Sequence, residues 1–183
     1  MNKALWFLSR GTGMTSLVLL TLVLVLGVLT RSARPLPGLP RFVTSGLHRN
    51  ASLLAVSLLA VHVLSAVADP YALTGIVGVV VPFTGGYRPL FVGLGTLALD
   101  LLIAVVVTSL LRLRMPDRAW RAVHWLAYAC WPLAVVHGWG AGSDAGRGWG
   151  LALLGGCAVA GLAAVAYRLM SDHFPSDATA VAR

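Results

Sequence analysis

Five long stretches of mainly apolar residues leave few folds open to this chain. They run over Thr12–Thr30, Leu47–Ala68, Leu90–Leu111, Ala119–Gly138 and Trp149–Leu169. Each has about the 20 residues that a helix needs to cross the hydrocarbon core of a bilayer. Strands cannot replace these helices, because an open sheet in lipid leaves backbone N–H and C=O groups unpaired. The sequence therefore predicts an all-α integral membrane protein, a bundle of about five transmembrane helices.

The composition agrees with this class and excludes a soluble domain. Hydrophobic residues make up 58% of the chain and charged residues 11%, and the mean hydropathy is +0.84. The net charge of +8 does not indicate a nucleic-acid partner, since the arginines lie at helix ends. The connections are short, so we expect one membrane domain over residues 1–170 and a short cytoplasmic tail over 171–183. Arg31 and Arg34 flank the first stretch as a stop-transfer signal, which argues against a cleaved leader.

The distribution of basic residues predicts the orientation. With the N-terminus and the second and fourth connections on one side, that side carries four basic residues: Lys3, Arg10, Arg88 and Arg147. The other side carries ten: Arg31, Arg34, Arg41, Arg49, Arg112, Arg114, Arg118, Arg121, Arg168 and Arg183. The positive-inside rule then places the N-terminus outside and the C-terminus in the cytoplasm.

Four histidines form two pairs on predicted helices, His48/His62 and His124/His137, separated by 14 and 13 residues. These spacings correspond to roughly 20 Å along a helix. Two such helices side by side present one histidine couple near each membrane face, an arrangement that holds two stacked haems between imidazoles. His48 and His62 lie within about 40° of one helix face, whereas an ideal helix leaves His124 and His137 about 140° apart. We therefore expect the fourth helix to be distorted, and we expect Pro132 to cause the distortion.

Hydrogen bonding and zinc binding are the alternatives to haem ligation by these histidines. A single intramembrane histidine is often a hydrogen-bonding group between helices, although ionisable residues in lipid are costly and usually functional. A zinc site needs four ligands within a few ångströms, which the axial separation excludes. Bis-histidine ligation leaves no open iron position, so the haems are expected to be electron carriers. Cys130 and Cys157 fit small packing residues without a covalent haem motif, which predicts b-type haems.

Several arginines are candidates for the haem propionates, which guanidinium groups bind by charge-assisted hydrogen bonds. At the inner haem the candidates are Arg41, Arg49, Arg118 and Arg121, with positive-inside anchoring as the alternative for each. Arg88, or less favourably Arg147, is the candidate for the outer haem or an anionic acceptor.

Two further residues inside the spans allow alternative interpretations. Asp100 is the one acid deep in a predicted span; an interhelical hydrogen bond is favoured over a role in holding a ligand histidine or moving a proton. Trp131 is placed either between the haems or against lipid. The connection over Asp69–Pro89 is expected to form a short interfacial helix or cap on the outer face.

The histidine segments resemble the ferric-reductase-like transmembrane domain, the haem-bearing membrane part of ferric reductases, NADPH oxidases and YedZ/MsrQ-type subunits. The resemblance lies in Leu47-His48-Arg49-Asn50, His62, the run from Arg121 to Tyr128, and His137-Gly138, and it covers roughly residues 5–170. It implies that His48 and His124 share the inner haem and that His62 and His137 share the outer haem. The topology count leads to the same grouping.

The chain departs from the larger relatives in two respects. Only fourteen residues follow Leu169, and they contain no glycine-rich fingerprint for FAD or NADPH. We also expect five helices rather than six, without the family's first. We therefore expect an oxidoreductase component that receives electrons from a separate flavoprotein or quinol and passes them to an acceptor, which includes an external acceptor protein. The arginine-rich, glutamate-free composition suggests a bacterial plasma-membrane protein. The alternative function is a non-redox membrane scaffold or small transporter with structural histidines.

Overall fold

The computed structural model describes residues 3–31, 40–70, 75–142, 144 and 146–173, and over these ranges it is helical without any β-strand. The helices are α1 Lys3–Arg31, α2 Arg41–Ala68, α3 Gly75–Val80, α4 Pro89–Leu110, α5 Asp117–His124, α6 Leu126–Ala141 and α7 Gly148–His173. A 3-10 turn, Arg112–Arg114, joins α4 to α5.

Four of the described helices, α1, α2, α4 and α7, are long and apolar enough to cross a membrane. Large apolar side chains cover their outer surfaces; Leu53, Leu64 and Leu110 are all exposed. Such a surface is costly in water but favourable against lipid tails. The chain is therefore a multi-pass membrane protein whose surface contacts lipid.

The fourth predicted span is divided into α5 and α6. The division lies at Trp125, which keeps helical backbone angles but whose carbonyl accepts a hydrogen bond from Tyr128 N at 3.0 Å, three residues on. This is the shorter spacing of a 3-10 turn. Pro132, which the sequence indicated as the site of distortion, lies inside α6. The expected distortion is present at Trp125, and a distortion at Pro132 stays a prediction.

The bundle consists of two closely packed helix pairs, α1 with α2 and α4 with α6, and α1 also contacts α6 and α7. Leu17, Leu154 and Cys157 form the buried cluster where α1 meets α7. Trp131 is buried beside this cluster and donates its indole N–H to Thr21 Oγ1 at 3.0 Å. Gly161 of α7 leaves room for the indole ring, because a Cβ there would overlap it. Trp131 is therefore buried inside the bundle, so the sequence-based placement against lipid was wrong, and the placement between the haems stays a prediction.

The connection between α2 and α4 contains the expected short helix, α3, although residues 71–74 lie outside the described part. Thr96 of α4 donates its hydroxyl to the carbonyl of Gly78 at 2.7 Å, which fixes α3 on α4. Phe83 has a positive φ of 68° and its ring packs where Gly93 has no side chain. The connection thus lies against one end of α4.

Ion pairs hold the loops together at this end of the bundle. Arg10 of α1 forms an ion pair with the buried carboxylate of Asp144, in the α6–α7 connection, and Arg147 pairs with the same group at 3.1 Å. Arg88, at the start of α4, donates to the carbonyl of Gly140 at the end of α6. The start of α1 and the α3–α4 and α6–α7 connections therefore meet at one end, as the predicted topology requires.

The predicted tail over 171–183 lies mostly outside the described residues. Helix α7 continues to His173, three residues into the range predicted as tail. Residues 174–183 are not among those described.

Candidate functional site

The structure brings the four histidines together as two pairs across the bundle. His48 of α2 faces His124 at the end of α5, with ring centres 6.4 Å apart and ring planes at 61°. His62 of α2 faces His137 of α6, with ring centres 6.2 Å apart and planes at 74°. Each pair therefore takes one ring from α2 and one from the α5–α6 segment, which is the grouping that the sequence predicted.

The separation within each pair fits one metal ion between the two rings. Imidazole nitrogen lies about 2.0 Å from a bound metal, so two rings on opposite sides of one iron have centres roughly 6 Å apart. Direct hydrogen bonding between the rings would bring them closer together. Among the described residues, no group of three or more His, Cys, Asp or Glu side chains is placed to share a metal ion.

Three of the histidines are oriented by backbone carbonyl groups of a neighbouring helix. Nδ1 of His48 lies 3.0 Å from the carbonyl of Val23, and Nδ1 of His62 lies 2.7 Å from that of Ser9. Nδ1 of His137 lies 2.9 Å from the carbonyl of Phe91. A carbonyl oxygen can only accept, so each Nδ1 carries the proton and donates it. The Nε2 lone pair is then left for a ligand, as in metal-binding histidines generally.

A glycine one turn after each accepting carbonyl leaves space for the ring. A Cβ on Gly95 would lie 2.5 Å from Nδ1 of His137, and one on Gly13 would lie 2.7 Å from Nδ1 of His62. At Gly27 the nearest atom would be Cε1 of His48, at 3.3 Å. The sequence reasoning did not identify these glycines. Gly13 and Gly27 are separated by 14 residues, the His48–His62 spacing, and that match was the available signal.

His124 is in contact with an aromatic side chain of its own helix. The indole of Trp120 stacks on its imidazole, with ring centres 4.8 Å apart and planes at 26°. The guanidinium carbon of Arg112 lies 4.3 Å from the indole centre, and Arg112 is paired with Asp117 at 2.6 Å. This pairing lowers the pKa of the Asp117 carboxyl, which is outside the apolar spans.

A cavity of about 490 Å³ separates the two helix pairs at the level of His62 and His137, and both rings line it. Its volume falls in the range of roughly 300–1,000 Å³ that cofactor sites occupy. Apolar side chains form most of the wall, and Arg10, Asp69 and Tyr87 add polar groups. His48 and His124 are not among the lining residues.

The candidate arginines differ in where they lie. Arg41, Arg49 and Arg118 are exposed, whereas Arg121 is half-buried three residues before His124. Of the two outer candidates, Arg88 donates to the Gly140 carbonyl and Arg147 is 70% exposed beside Asp144. Neither of these two lines the cavity.

Arg10 is the basic residue that the sequence reasoning missed. Its side chain is 13% exposed, lines the cavity and packs over Trp6 while paired with Asp144. The sequence showed Arg10 only as a topology signal, because its partner is distant along the chain. Arg10 thus lines the cavity that His62 and His137 share, and Arg88 does not.

The two cysteines and Asp100 are the remaining residues that the sequence singled out. Cys130 is buried, lines the cavity and approaches the carbonyl of Ala98 with its sulfur at 3.3 Å. Cys157 belongs to the core, so both cysteines pack as expected. Asp100 is half-buried on α4 and is not among the residues that line the cavity.

Comparison with known families identifies this arrangement. The model of the ferric reductase like transmembrane component matches residues 12–138, more than half of the chain and all four histidines. The chain belongs to this family. Ferric-reductase-like transmembrane domains generally bind haem and act as membrane electron-transfer components. The searches of curated proteins and of solved structures gave no significant match.

Proposed function

We propose that this chain is a dihaem b-type membrane cytochrome that carries electrons across the bilayer. His48 and His124 would ligate one haem, and His62 and His137 the other. The observation that carries the proposal is the pair of imidazole couples with ring centres 6.4 and 6.2 Å apart. The carbonyl contacts of His48, His62 and His137 support it, because they direct Nε2 rather than Nδ1 to the ligand.

Bound b haems, held by these histidines, would supply one-electron carriers. The chain supplies orientation, charge and a mainly apolar environment. Backbone carbonyls fix three of the rings, and apolar side chains form most of the cavity wall. Arg10 lines the cavity while paired with Asp144, and its guanidinium would bind a propionate of the haem held there. Arg121 is the best-placed candidate for the other haem, since it is the half-buried member of its group.

The same proposal includes the topology and the cellular setting. Five crossings, with α5 and α6 together forming the fourth, would leave the N-terminus outside and the C-terminus in the cytoplasm. The membrane domain would span residues 1–170 and the cytoplasmic tail 171–183, in a bacterial plasma membrane. His62 and His137 would then lie toward the outside. A flavoprotein or quinol would donate electrons, and an acceptor outside would receive them.

An absorption spectrum and a haem assay test this function directly. Detergent-purified protein should show the oxidised and dithionite-reduced bands of six-coordinate low-spin b haem. A pyridine haemochrome assay should give two haems per polypeptide. One haem or none in well-folded protein would contradict the dihaem proposal, and a colourless protein would favour the scaffold or transporter alternative.

A further inference from the structure

The stacked contact between Trp120 and His124 brings an aromatic face against one of the four paired imidazoles. Trp120 lies one helical turn before His124, so the two side chains share a face of α5. Their ring planes are within 26° of parallel, with centres 4.8 Å apart. The guanidinium carbon of Arg112 lies 4.3 Å from the centre of the same indole.

The indole N–H does not explain where Trp120 lies. Nε1 of Trp120 is buried and finds no acceptor among the described residues. Buried tryptophans usually satisfy this N–H. The ring faces are therefore the part of the indole that makes the specific contacts, with the imidazole of His124 and the cation of Arg112.

Because α5 is short and separate from α6, the orientation of the His124 ring depends on contacts within α5. Helix α5 ends at His124, and the division at Trp125 separates it from α6, which carries His137. The division therefore leaves the His124 ring on a short helix of eight residues. A stacked indole from the same helix restricts rotation of the imidazole about its side-chain bonds. This restriction does not depend on contacts with the longer helices.

We propose that Trp120 is a positioning residue that sets the plane of the His124 imidazole relative to that of His48. Arg112 holds the indole through a cation–π contact, and Asp117 holds Arg112 by the ion pair at 2.6 Å. The proposal rests on the proposed function, in which these two imidazoles ligate one haem. It adds the origin of the 61° angle between their planes. A guanidinium close to this ligand also favours the reduced haem, which carries less positive charge.

Electron paramagnetic resonance of the oxidised protein tests this proposal, since the largest g value of a low-spin haem depends on the angle between its axial imidazole planes. Trp120→Leu should shift the signal of one haem and leave the other unchanged. Trp120→Phe keeps an aromatic face and should restore the wild-type signal. Arg112→Gln, which removes the cation that holds the indole, should shift the g values of the same haem in the same direction as Trp120→Leu but by less, and should also lower its midpoint potential.

Trp125→Phe is the matched control. Trp125 adjoins His124 in sequence and is 45% exposed, and its ring centre lies 4.8 Å from that of Tyr128. This variant should keep both signals and both potentials. The haem that responds to Trp120→Leu must be the one that a His48→Ala variant loses.

The possible failures are distinguishable. Wild-type protein without haem would overturn the proposed function and this inference together. Wild-type protein with two haems, and wild-type g values in Trp120→Leu, would overturn the inference alone. Equal effects of Trp120→Leu and Trp125→Phe would do the same. Should Trp120→Leu not fold, unchanged g values in Arg112→Gln would overturn the proposal, and shifted g values at that haem would support it.

Discussion

Three of the four paired histidines depend on the absence of a side chain at a nearby position of a neighbouring helix. Gly13, Gly27 and Gly95 let a helix backbone approach an imidazole closely enough for its carbonyl to accept the Nδ1 proton. Such a contact fixes both the tautomer and the ring plane of a ligand histidine. A methyl group at these positions would push the ring away from its partner histidine.

Alanine substitutions at these glycines should have graded effects on haem binding. Gly95→Ala should be the most harmful, since its Cβ would lie 2.5 Å from Nδ1 of His137; Gly13→Ala should follow at 2.7 Å and Gly27→Ala at 3.3 Å. Overpacking of this kind costs about 1–3 kcal/mol. Haem content per chain should therefore fall in that order, with Gly95→Ala losing the haem of the His62–His137 pair.

Gly155→Ala is the control for this series. Gly155 is exposed on α7, and a Cβ added there would have no atom within 4 Å among the described residues. Alanine should therefore keep both haems and add up to about 1 kcal/mol through helix propensity. A Gly95→Ala protein with two haems at wild-type potentials would show that the carbonyl contact does not hold His137.

At the residue scale, sequence reasoning grouped the four histidines as the structure pairs them, but it did not identify the groups that orient them. The histidines stand out because ionisable groups are rare in apolar spans and their spacing is regular. The accepting groups on Ser9, Val23 and Phe91 are backbone carbonyls, which any residue carries. No side-chain pattern can therefore indicate them; the glycine spacing in α1 was the one indirect signal.

At the scale of helices and connections, the buried carboxylate of Asp144 joins α1 to the α6–α7 connection. Its side chain is 5% exposed and is paired with Arg10 and Arg147. The carbonyl of Asp144 also lies against Gly150 at the start of α7. Removing this carboxylate leaves Arg10 as a largely buried cation beside an apolar cavity.

Asp144→Asn should therefore destabilise the protein by about 3 kcal/mol, the cost of breaking a buried ion pair from one side. Arg147→Gln should cost at most about 1 kcal/mol, because the Arg147 side chain is 70% exposed. Thermal unfolding in detergent, followed by helical circular dichroism, measures both. Since the double variant Arg10→Gln/Asp144→Asn removes both charges, it should be more stable than Asp144→Asn. Equal melting temperatures for Asp144→Asn and Arg147→Gln would refute this account.

The positions of the helices were more predictable than their interruptions. Apolar length located α1, α2, α4 and α7, because bilayer thickness imposes it. The division at Trp125 was not predictable, since that residue has helical backbone angles and is neither a proline nor a glycine, the residues that usually interrupt helices. Pro132 drew attention instead, although a proline inside a membrane helix is tolerated when neighbouring groups satisfy the freed carbonyl. Contacts between distant segments, such as Arg10 with Asp144, cannot be derived from local patterns.

For the whole molecule, two histidine pairs at different levels of one bundle suggest a path for electrons through the bilayer. His48 and His62 lie on the same helix, 14 residues apart, which corresponds to roughly 20 Å along its axis. The connections that carry Arg10, Arg88 and Asp144 meet at the His62–His137 end, whereas Arg112 and Trp120 lie beside His124. Donor and acceptor would therefore act at opposite ends of the bundle.

Stopped-flow reoxidation in proteoliposomes tests this path. A His62→Ala protein that folds and keeps the haem of the His48–His124 pair should pass electrons to a membrane-impermeant acceptor outside at least tenfold more slowly than wild type. The reason is that the remaining haem lies on the far side of the bilayer. Gly155→Ala protein provides the unchanged reference, and haem content must be measured in each preparation. Unchanged kinetics in His62→Ala would mean that the second haem is not on the path, and transmembrane transfer through both pairs would have to be abandoned.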